Sequence, residues 1–140
     1  MDDCLFCKIV SGDVPASKIY EDENSLAFLD ISPVNPGHAL LIPKEHYKNI
    51  YDTPDELLAN IAPKIKKIAL AVKEAVNADG INIGMNNDPA AGQIVFHTHI
   101  HIIPRFEGDG HNPWSSKKYE EGEMAEIAEK IRAHCNQGEL

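Results

Sequence analysis

The sequence has few basic residues and no long apolar run. It carries 13 Lys and Arg against 22 Asp and Glu, which gives a formal net charge of −9. Nucleic acids and anionic membrane surfaces are bound chiefly by clustered Lys and Arg, so we expect neither as a partner. No apolar stretch approaches the roughly eighteen residues of a membrane span. A ligand the size of a nucleotide stays possible, because a few local groups can hold one phosphate.

Cysteine is also scarce. The chain has 3 cysteines, an odd number, and two of them form a Cys4-x-x-Cys7 pair. Such a set suits metal or redox chemistry in a reducing compartment better than a disulfide framework. The first residues, Met1 to Cys4, are acidic and lack the basic and apolar regions of a secretory signal. We therefore expect a cytoplasmic protein.

Length and apolar content predict a single domain over residues 1–140. At 140 residues and 43% hydrophobic content, the chain can bury one core but not two comfortable ones. Hydrophobic periodicity and turn residues locate the elements. The predicted strands are 17–21, 25–30, 38–42, 81–86 and 94–103, and the predicted helices are 54–76 and 121–135, with a short helix or turn over 4–10. We expect an α+β domain with an antiparallel sheet of about five strands, one long helix and a C-terminal helix.

Two details of the long helix follow from its first residues and its proline. Thr53 is the expected N-cap, with Glu56 completing a capping box and Pro54 at the first helical position. Pro63 is expected to kink the helix or to start it afresh, because proline lacks the N–H group and crowds the preceding turn.

Three of the seven histidines stand at strict two-residue spacing. In a strand, successive side chains point to opposite faces, so His97, His99 and His101 share one face, while Thr98 and Ile100 take the other. Three imidazoles are costly as core filling, since each ring has a donor and an acceptor to satisfy. The pattern indicates a metal site or a nucleophilic histidine, and the two can coexist.

The Cys4-x-x-Cys7 pair has the spacing of a zinc knuckle, and two more ligands are required. A redox dithiol is the alternative, but thioredoxin-like motifs lie inside a βαβ pattern that is missing here. Buried thiols that pack as small apolar residues are a further alternative. The sequence offers His46 and His97 as additional ligands.

Together with its neighbours, the triad resembles the histidine triad (HIT) superfamily, whose signature is His-x-His-x-His followed by apolar residues. The resemblance spans about residues 4–106, which would form the core of a HIT domain, followed by a C-terminal loop and helix over 107–140. The supporting segments, in the family's order, are Phe28-Leu29-Asp30-Ile31-Ser32-Pro33, Pro36-Gly37-His38, Ile42-Pro43-Lys44-Glu45-His46, Gly84-Met85-Asn86-Asn87 and Ala91-Gly92-Gln93. The resemblance implies a HIT-like fold and a homodimer.

The resemblance also implies how the site is used. His99 would be the nucleophile and His101 its orienting neighbour, with His38 donating to a phosphate oxygen or supporting the nucleophile. Asn86 and Gln93 would donate amide hydrogens to the α-phosphate. The catalytic residues would then be His38, Gln93, His99 and His101. The nucleoside would be held by the ribose-binding Asp30 and an apolar base slot of Phe6, Ile9, Phe28 and Ile31. A closed structural zinc site would consist of Cys4, Cys7, His46 and His97, with no catalytic metal.

These implications predict a hydrolase or transferase acting at the α-phosphorus of purine nucleotide conjugates, either nucleoside phosphoramidates or dinucleoside polyphosphates, through a nucleotidyl-histidine intermediate. Phosphoramidase-branch members often carry serine where this chain has Ile94, and isoleucine cannot donate a proton to a departing amine. Arg105 could contact distal phosphates. A nucleotide-binding regulatory module and a metal-dependent hydrolase that uses the triad as ligands are the alternatives.

Overall fold

The structure, a computed structural model, describes residues 3–137. It confirms the α+β class with a five-stranded antiparallel sheet. In chain order the elements are α1 (Leu5–Ser11), β1 (Lys18–Glu21), β2 (Ser25–Leu29), β3 (Ala39–Pro43), α2 (Asp55–Ala75), β4 (Gly80–Gly84), a 3-10 turn (Pro89–Ala91), β5 (Ile100–Arg105) and α3 (Glu123–Gln137).

The strand order in the sheet is β1-β2-β3-β5-β4. The strand that carries the end of the histidine triad therefore lies between β3 and β4. In this register His101 is opposite Leu40 on one side and Gly84 on the other. Gly84 has no side chain to crowd the imidazole, so His101 stands beside an open stretch of the sheet.

The two faces of the sheet bury different sets of residues, as the two-residue alternation of strands requires. The long helix α2 packs on one face through a cluster of Ala27, Ala39, Leu41, Ile61, Ile68, Ala69, Val72, Ile100 and Ile102. The short helix α1 packs on the other through Phe6, Ile9, Leu26, Phe28, Leu40 and Ile42. The triad histidines belong to the α1 face, because Ile100 and Ile102 turn towards α2.

The predicted triad strand, residues 94–103, begins too early. The observed β5 starts at Ile100, so only His101 of the triad lies within the strand. Ahead of it the backbone leaves the sheet to meet the loop after β3, where the Thr98 N–H donates to the Tyr47 carbonyl oxygen at 2.7 Å. The faces of the side chains still alternate as predicted.

The predicted N-cap of α2 was also wrong. The helix begins at Asp55, and its N-cap residue Pro54 makes no side-chain cap bond. The Thr53 hydroxyl instead lies 2.6 Å from the Asn49 carbonyl oxygen and 2.8 Å from the Thr98 hydroxyl. Thr53 thus ties the start of α2 to the triad segment.

Pro63 lies inside α2, and the helix runs through it without a break. The expected restart is absent from the described chain. Pro63 is on the exposed face of the helix. The carbonyl group that loses its partner there can turn towards water.

The chain forms two compact units, one ending at Asp109 and the second beginning at Gly110. The second unit contains α3, on which Met124 and Ile131 are exposed. The prediction that residues 1–140 form a single domain therefore stays a prediction. Among the described residues, no helix combines the length and the apolar character needed to cross a bilayer.

An ion pair anchors the first hairpin to α2. The Asp22 carboxylate accepts hydrogen bonds from the Tyr20 hydroxyl and the Asn24 and Ser25 N–H groups, and it lies 2.8 Å from Lys64 Nζ. Burial alone would raise the pKa of Asp22, but these donors hold it well below its ordinary value. The charged carboxylate is therefore stabilised in the folded state.

We expect Asp22→Asn to lower the free energy of unfolding by about 1–3 kcal/mol at neutral pH, because it removes a charged acceptor from four donors. The depressed folded-state pKa gives stability that is present above the unfolded pKa of about 3.9 and lost as the pH falls below it. Urea unfolding between pH 7 and 2.5 should therefore show the two proteins converging at low pH. The exposed Asp13→Asn is the matched control, and a pH-independent difference for Asp22→Asn would contradict this origin.

Candidate active site and metal site

A cavity of about 430 Å³ opens on the α1 face of the sheet. It holds most of the residues predicted to bind a nucleotide. The lining consists of Leu5, Phe6, Ile9, Val14, Pro15, Ala16, Phe28, Leu29, Asp30, Ile31, Ser32, Leu40, Asn86, Gly92, Ile94, Val95, His99 and His101. This is the usual composition of a ligand site, mostly apolar walls with a few placed polar groups.

The hydrogen bonds of His99 assign its proton. His99 Nδ1 lies 2.7 Å from the carbonyl oxygen of His97, which can only accept, so Nδ1 carries the hydrogen. Burial lowers the pKa of His99, and the neutral ring has no second proton. Nε2 is then left with a free electron pair. Phe6 supports the ring from the side, with centroids 5.1 Å apart and planes nearly perpendicular.

His38 and His101 form a second pair with assignable protons. The Val34 N–H donates to His38 Nδ1 at 3.0 Å, so the neutral His38 ring carries its hydrogen on Nε2. That hydrogen faces His101 Nδ1 at 2.9 Å, which must accept it. The proton of a neutral His101 is therefore on Nε2. Backbone atoms thus set opposite tautomers for His99 and His101.

The neutral state of these rings has a physical cause. Burial, followed by the charges of His99 and His38, lowers the pKa of His101 to about 4. Burial also lowers the pKa of His38, although the Asp30 carboxylate opposes the shift. A buried charge is costly without a close partner. The rings therefore act as neutral donors and acceptors at pH 7.

Asp30 lies at the edge of the cavity, next to the histidine pair. One carboxylate oxygen accepts from the Ser32 N–H at 2.8 Å, and the other is 3.7 Å from His38 Nε2. A carboxylate has about four acceptor positions. The Asp30 carboxylate can therefore accept further hydrogen bonds from hydroxyl groups of a ligand.

Gly92 allows the backbone to approach Asn86 closely, and both residues line the cavity. Its φ of +94° is rarely adopted by L side chains, and a Cβ there would lie 3.4 Å from Asn86 Nδ2. Asn86 lines the cavity and has a long contact of 3.5 Å from Nδ2 to the Gly92 carbonyl oxygen. The weak contact leaves the amide able to turn to a better acceptor.

Gln93 is placed differently from its predicted role. Its side chain is buried, Nε2 donates to the carbonyl oxygens of Lys48 and Val95, and Oε1 accepts from Asn49 Nδ2 and the Asp88 N–H. Asp88 has a φ of +78°, strained for a residue other than glycine. Gln93 therefore shapes the turn before the triad, and its donation to a phosphate stays a prediction.

Arg105 lies at the far end of β5, about 13 Å along the strand from His101. Nε and Nη2 bind the two Asp109 carboxylate oxygens at 2.7 and 2.9 Å, and Nη1 donates to Asn82 Oδ1 at 2.7 Å. A bidentate pair of this kind is among the stronger polar contacts of a protein. Arg105 fastens the loop after β5 and is not in the cavity lining.

The four predicted metal ligands come together beside the cavity. One ligand atom each from Cys4, Cys7, His46 and His97 lies within 4.8 Å of the others. The Nδ1 atoms of the two histidines are 3.2 Å apart. The sulfur of Cys7 lies 3.3 Å from His46 Nδ1 and 3.6 Å from His97 Nδ1, and the sulfur of Cys4 lies 3.5 Å from His97 Nδ1. Tetrahedral zinc with ordinary bond lengths requires about 3.3 Å between two nitrogens and about 3.6 Å between sulfur and nitrogen. These donors therefore match a closed zinc site.

His97 is prepared for this role by a second bond. Nε2 lies 2.8 Å from the Pro43 carbonyl oxygen and must donate to it, so the electron pair of Nδ1 faces the two sulfurs. Burial lowers the pKa of His97 to about 4 and, with Cys4, raises that of Cys7 to about 11. The cluster thus places the electron pair of the neutral His97 ring beside thiols that a cation would deprotonate.

A second group, Asp30, His38 and His101, also brings three ligand atoms close together. A cation on His38 Nε2 would force the hydrogen onto Nδ1, where it would face the Val34 N–H. Two donors would then oppose each other. The backbone of residue 34 therefore disfavours a metal at this position.

Sequence reasoning missed several contributors to the site. Val34 acts through its backbone, which leaves no sequence signal. Asn49 belongs to no recognised motif, and Thr53 was predicted only as the N-cap of α2. Of the apolar lining, it missed Leu5, Val14, Pro15, Ala16, Leu29, Leu40 and Val95. Leu5, Leu29 and Leu40 lie in a helix or strand whose periodicity marks them only as apolar, and the other four lie outside the helices and strands.

Comparison with known proteins identifies the family. The model of the HIT domain matches residues 11–108. This chain belongs to the HIT family. The HIT fold is also that of SMU.412c from Streptococcus mutans UA159, with a TM-score of 0.91 and 47% identity over 96% of this chain and 87% of that one.

Two further HIT relatives bear on the site. Adenosine 5′-monophosphoramidase hnt1 of Schizosaccharomyces pombe is 47% identical over 73% of this chain and 74% of the relative. A Zn-bound histidine triad family protein from Mycobacterium smegmatis is 45% identical, with a TM-score of 0.75 over 94% of this chain and 98% of that one.

The proton assignments of the HIT site can be tested by ¹⁵N NMR of the labelled protein at pH 7. We expect His99 protonated on Nδ1 and His101 on Nε2, with a scalar coupling across the hydrogen bond from His38. His38→Ala should abolish that coupling and leave the His99 tautomer unchanged, because the His97 carbonyl is not altered. A proton on His99 Nε2 would contradict the assignment.

The metal cluster can be tested by removing one sulfur. We expect Cys7→Ser to lose the roughly single equivalent of bound zinc and the stability that the metal supplies, about 2.7 kcal/mol when free zinc is a hundred times Kd. Metal content and thermal melting with and without zinc provide the measurements. Cys135→Ser, which alters an exposed thiol on α3, should match the wild type. Zinc-independent melting of the wild type would exclude a structural site.

Proposed function

We propose that this HIT protein is a nucleotidyl hydrolase or transferase that acts at the α-phosphorus of purine nucleotide conjugates through a covalent intermediate on His99. One observation carries the proposal. The Nδ1 hydrogen of His99 is committed to the His97 carbonyl oxygen, so an unprotonated Nε2 belongs to a ring that lines a ligand-sized cavity. A neutral imidazole of this kind is a nucleophile at neutral pH.

The proposed reaction has two displacements. Nε2 of His99 gives its electron pair to phosphorus, and the bond to the leaving group breaks with its pair staying on the leaving atom. Water then attacks the nucleotidyl-histidine, releases the nucleotide and returns the pair to Nε2. A leaving group that needs a proton takes it from solvent, and the attacking water returns one.

The remaining polar groups fit roles around this centre. The Nε2 hydrogen of His101 is available to a phosphate oxygen, and the amide of Asn86 also lines the cavity. Asp30 can accept from the ribose hydroxyls, while Phe6 and Phe28 face the base. His38 is not in the cavity lining and acts on the substrate through His101. The name of the fission yeast relative, a monophosphoramidase, supports the same reaction class.

Zinc held by the four-residue cluster would be structural, since its four ligands complete a tetrahedron and leave no open position. It would fix His97 and, through the His97 carbonyl, the ring of His99. The homodimer implied by the HIT resemblance and the cytoplasmic location expected from the sequence stay predictions.

The covalent step is tested by intact mass after brief acid-free quenching with an AMP-phosphoramidate analogue. We expect a nucleotidyl-sized adduct on the wild type and none on His99→Ala, with turnover reduced on the order of 10³-fold or more. His134→Ala, on α3, should keep both adduct and turnover.

The two alternatives give different results in the same experiment. Turnover without an adduct, lost on metal removal while the fold persists, would support a metal-dependent hydrolase. Nucleotide binding with neither adduct nor turnover would support a regulatory module. Either result would overturn the covalent mechanism.

A further inference from the structure

The only two threonines of the chain, Thr53 and Thr98, contact each other behind the histidine triad. Both are buried, with exposed fractions of 5% and 1%, and neither lines the cavity. Thr98 shares its face of the triad segment with Ile100 and Ile102, which pack against α2. An apolar residue would fill this position at a lower desolvation cost, because a buried hydroxyl must be hydrogen-bonded. The polar pair therefore does more than fill space.

The hydrogens of the two hydroxyls point in one direction along a chain of hydrogen bonds. Thr53 Oγ1 lies 2.6 Å from the Asn49 carbonyl oxygen, which can only accept, so the single hydrogen of Thr53 is used there. In the 2.8 Å contact between the two threonines, Thr98 must then be the donor. The Thr98 side chain is therefore tied to the segment that leads into α2.

Asn49 gives this chain of hydrogen bonds a fixed end. The residue is buried, and its N–H donates to Asp52 Oδ1 at 3.0 Å. Asn49 Oδ1 accepts from the Tyr51 N–H at 3.2 Å, and Nδ2 donates to Gln93 Oε1 at 3.2 Å. The loop before α2 and the turn before the triad are thereby fixed to the same residue.

The backbone of Thr98 carries the constraint to His99. The Thr98 N–H and the His97 carbonyl belong to one planar peptide group. The N–H donates to the Tyr47 carbonyl oxygen at 2.7 Å, and the carbonyl oxygen lies 2.7 Å from His99 Nδ1 and accepts its hydrogen. A rotation of this peptide group would break both bonds and would turn Nε2 of His99 away from its position in the cavity.

We infer that Thr98 and Thr53 are positioning residues, whose paired hydroxyls hold the 97–98 peptide group and thereby direct Nε2 of His99 at phosphorus. The inference rests on the proposed function and deepens it. Neither threonine lines the cavity, so both act through the backbone and not on the substrate. Loss of the pair should therefore lower kcat and leave KM nearly unchanged.

The first test replaces Thr98 with a side chain of similar shape that lacks the hydroxyl. We expect Thr98→Val to reduce kcat for an AMP-phosphoramidate about tenfold, with KM changed less than about twofold, because the nucleophile is less often in line with phosphorus. Thr98→Ser keeps the hydroxyl and should stay within about twofold of the wild-type kcat. In the ¹⁵N-labelled protein without substrate, the Nδ1 hydrogen of His99 should exchange with water about tenfold faster in Thr98→Val, since a less restrained peptide group opens this bond more often.

Thr53→Val tests the second hydroxyl independently of the triad segment. It should lower kcat in the same way, and the double variant should be no slower than the slower single variant, because the two hydroxyls act as one unit. Tyr20→Phe is the matched control. It removes a hydroxyl that donates to Asp22 from β1, which is separated from β5 by two strands. Its kcat and its His99 hydrogen exchange should match the wild type even where the stability falls.

An unchanged kcat in Thr98→Val, or a lower kcat without faster exchange of the His99 hydrogen, would overturn the inference while the proposed function stands. An equal loss of kcat in Thr98→Ser, or additive losses in the double variant, would do the same. Absence of both turnover and adduct in the wild type would overturn the proposed function, and the inference with it.

Discussion

The short hydrogen bond from His99 Nδ1 to the carbonyl oxygen of His97 is the interaction on which the site depends. It leaves Nε2 of His99 unprotonated, and it makes the position of that ring depend on the backbone of His97. The His97 side chain in turn is held between the Pro43 carbonyl oxygen and the cysteine cluster. The N-terminal segment and the reactive ring are therefore linked through one residue, and displacement of either would move the other.

The apolar face of the sheet supplies the rigidity behind this arrangement. Ile100 and Ile102 alternate with the histidines and are buried against α2, where each side chain contributes about 1.5–3 kcal/mol. A single hydrogen bond adds about 1 kcal/mol. Packing on one face of β5 therefore fixes the strand, while the weaker polar contacts on the other face decide only where protons lie. A HIT site of this kind can place neutral donors accurately without buried charge.

Segments outside the sheet complete the site through hydrogen bonds between side chains and backbone groups. The Val34 N–H orients His38, and the Gln93 amide fastens the turn that carries Asn86, Gly92 and Ile94 close to the triad. Backbone groups have fixed positions, so they define a tautomer or a turn more firmly than mobile side chains do. The cavity consequently combines polar groups in fixed positions with apolar walls.

The sequence alone determined which residues share a face, since two-residue alternation is a property of the extended backbone. It separated His99 and His101 from Ile100 and Ile102, and the Cys4-x-x-Cys7 spacing indicated a metal. It did not determine where β5 begins, that Thr53 bonds to Thr98 instead of capping α2, or that Arg105 pairs with Asp109. Only the tertiary structure decided these, because each depends on which distant loops meet, and a hydrogen bond between distant segments has no local sequence period.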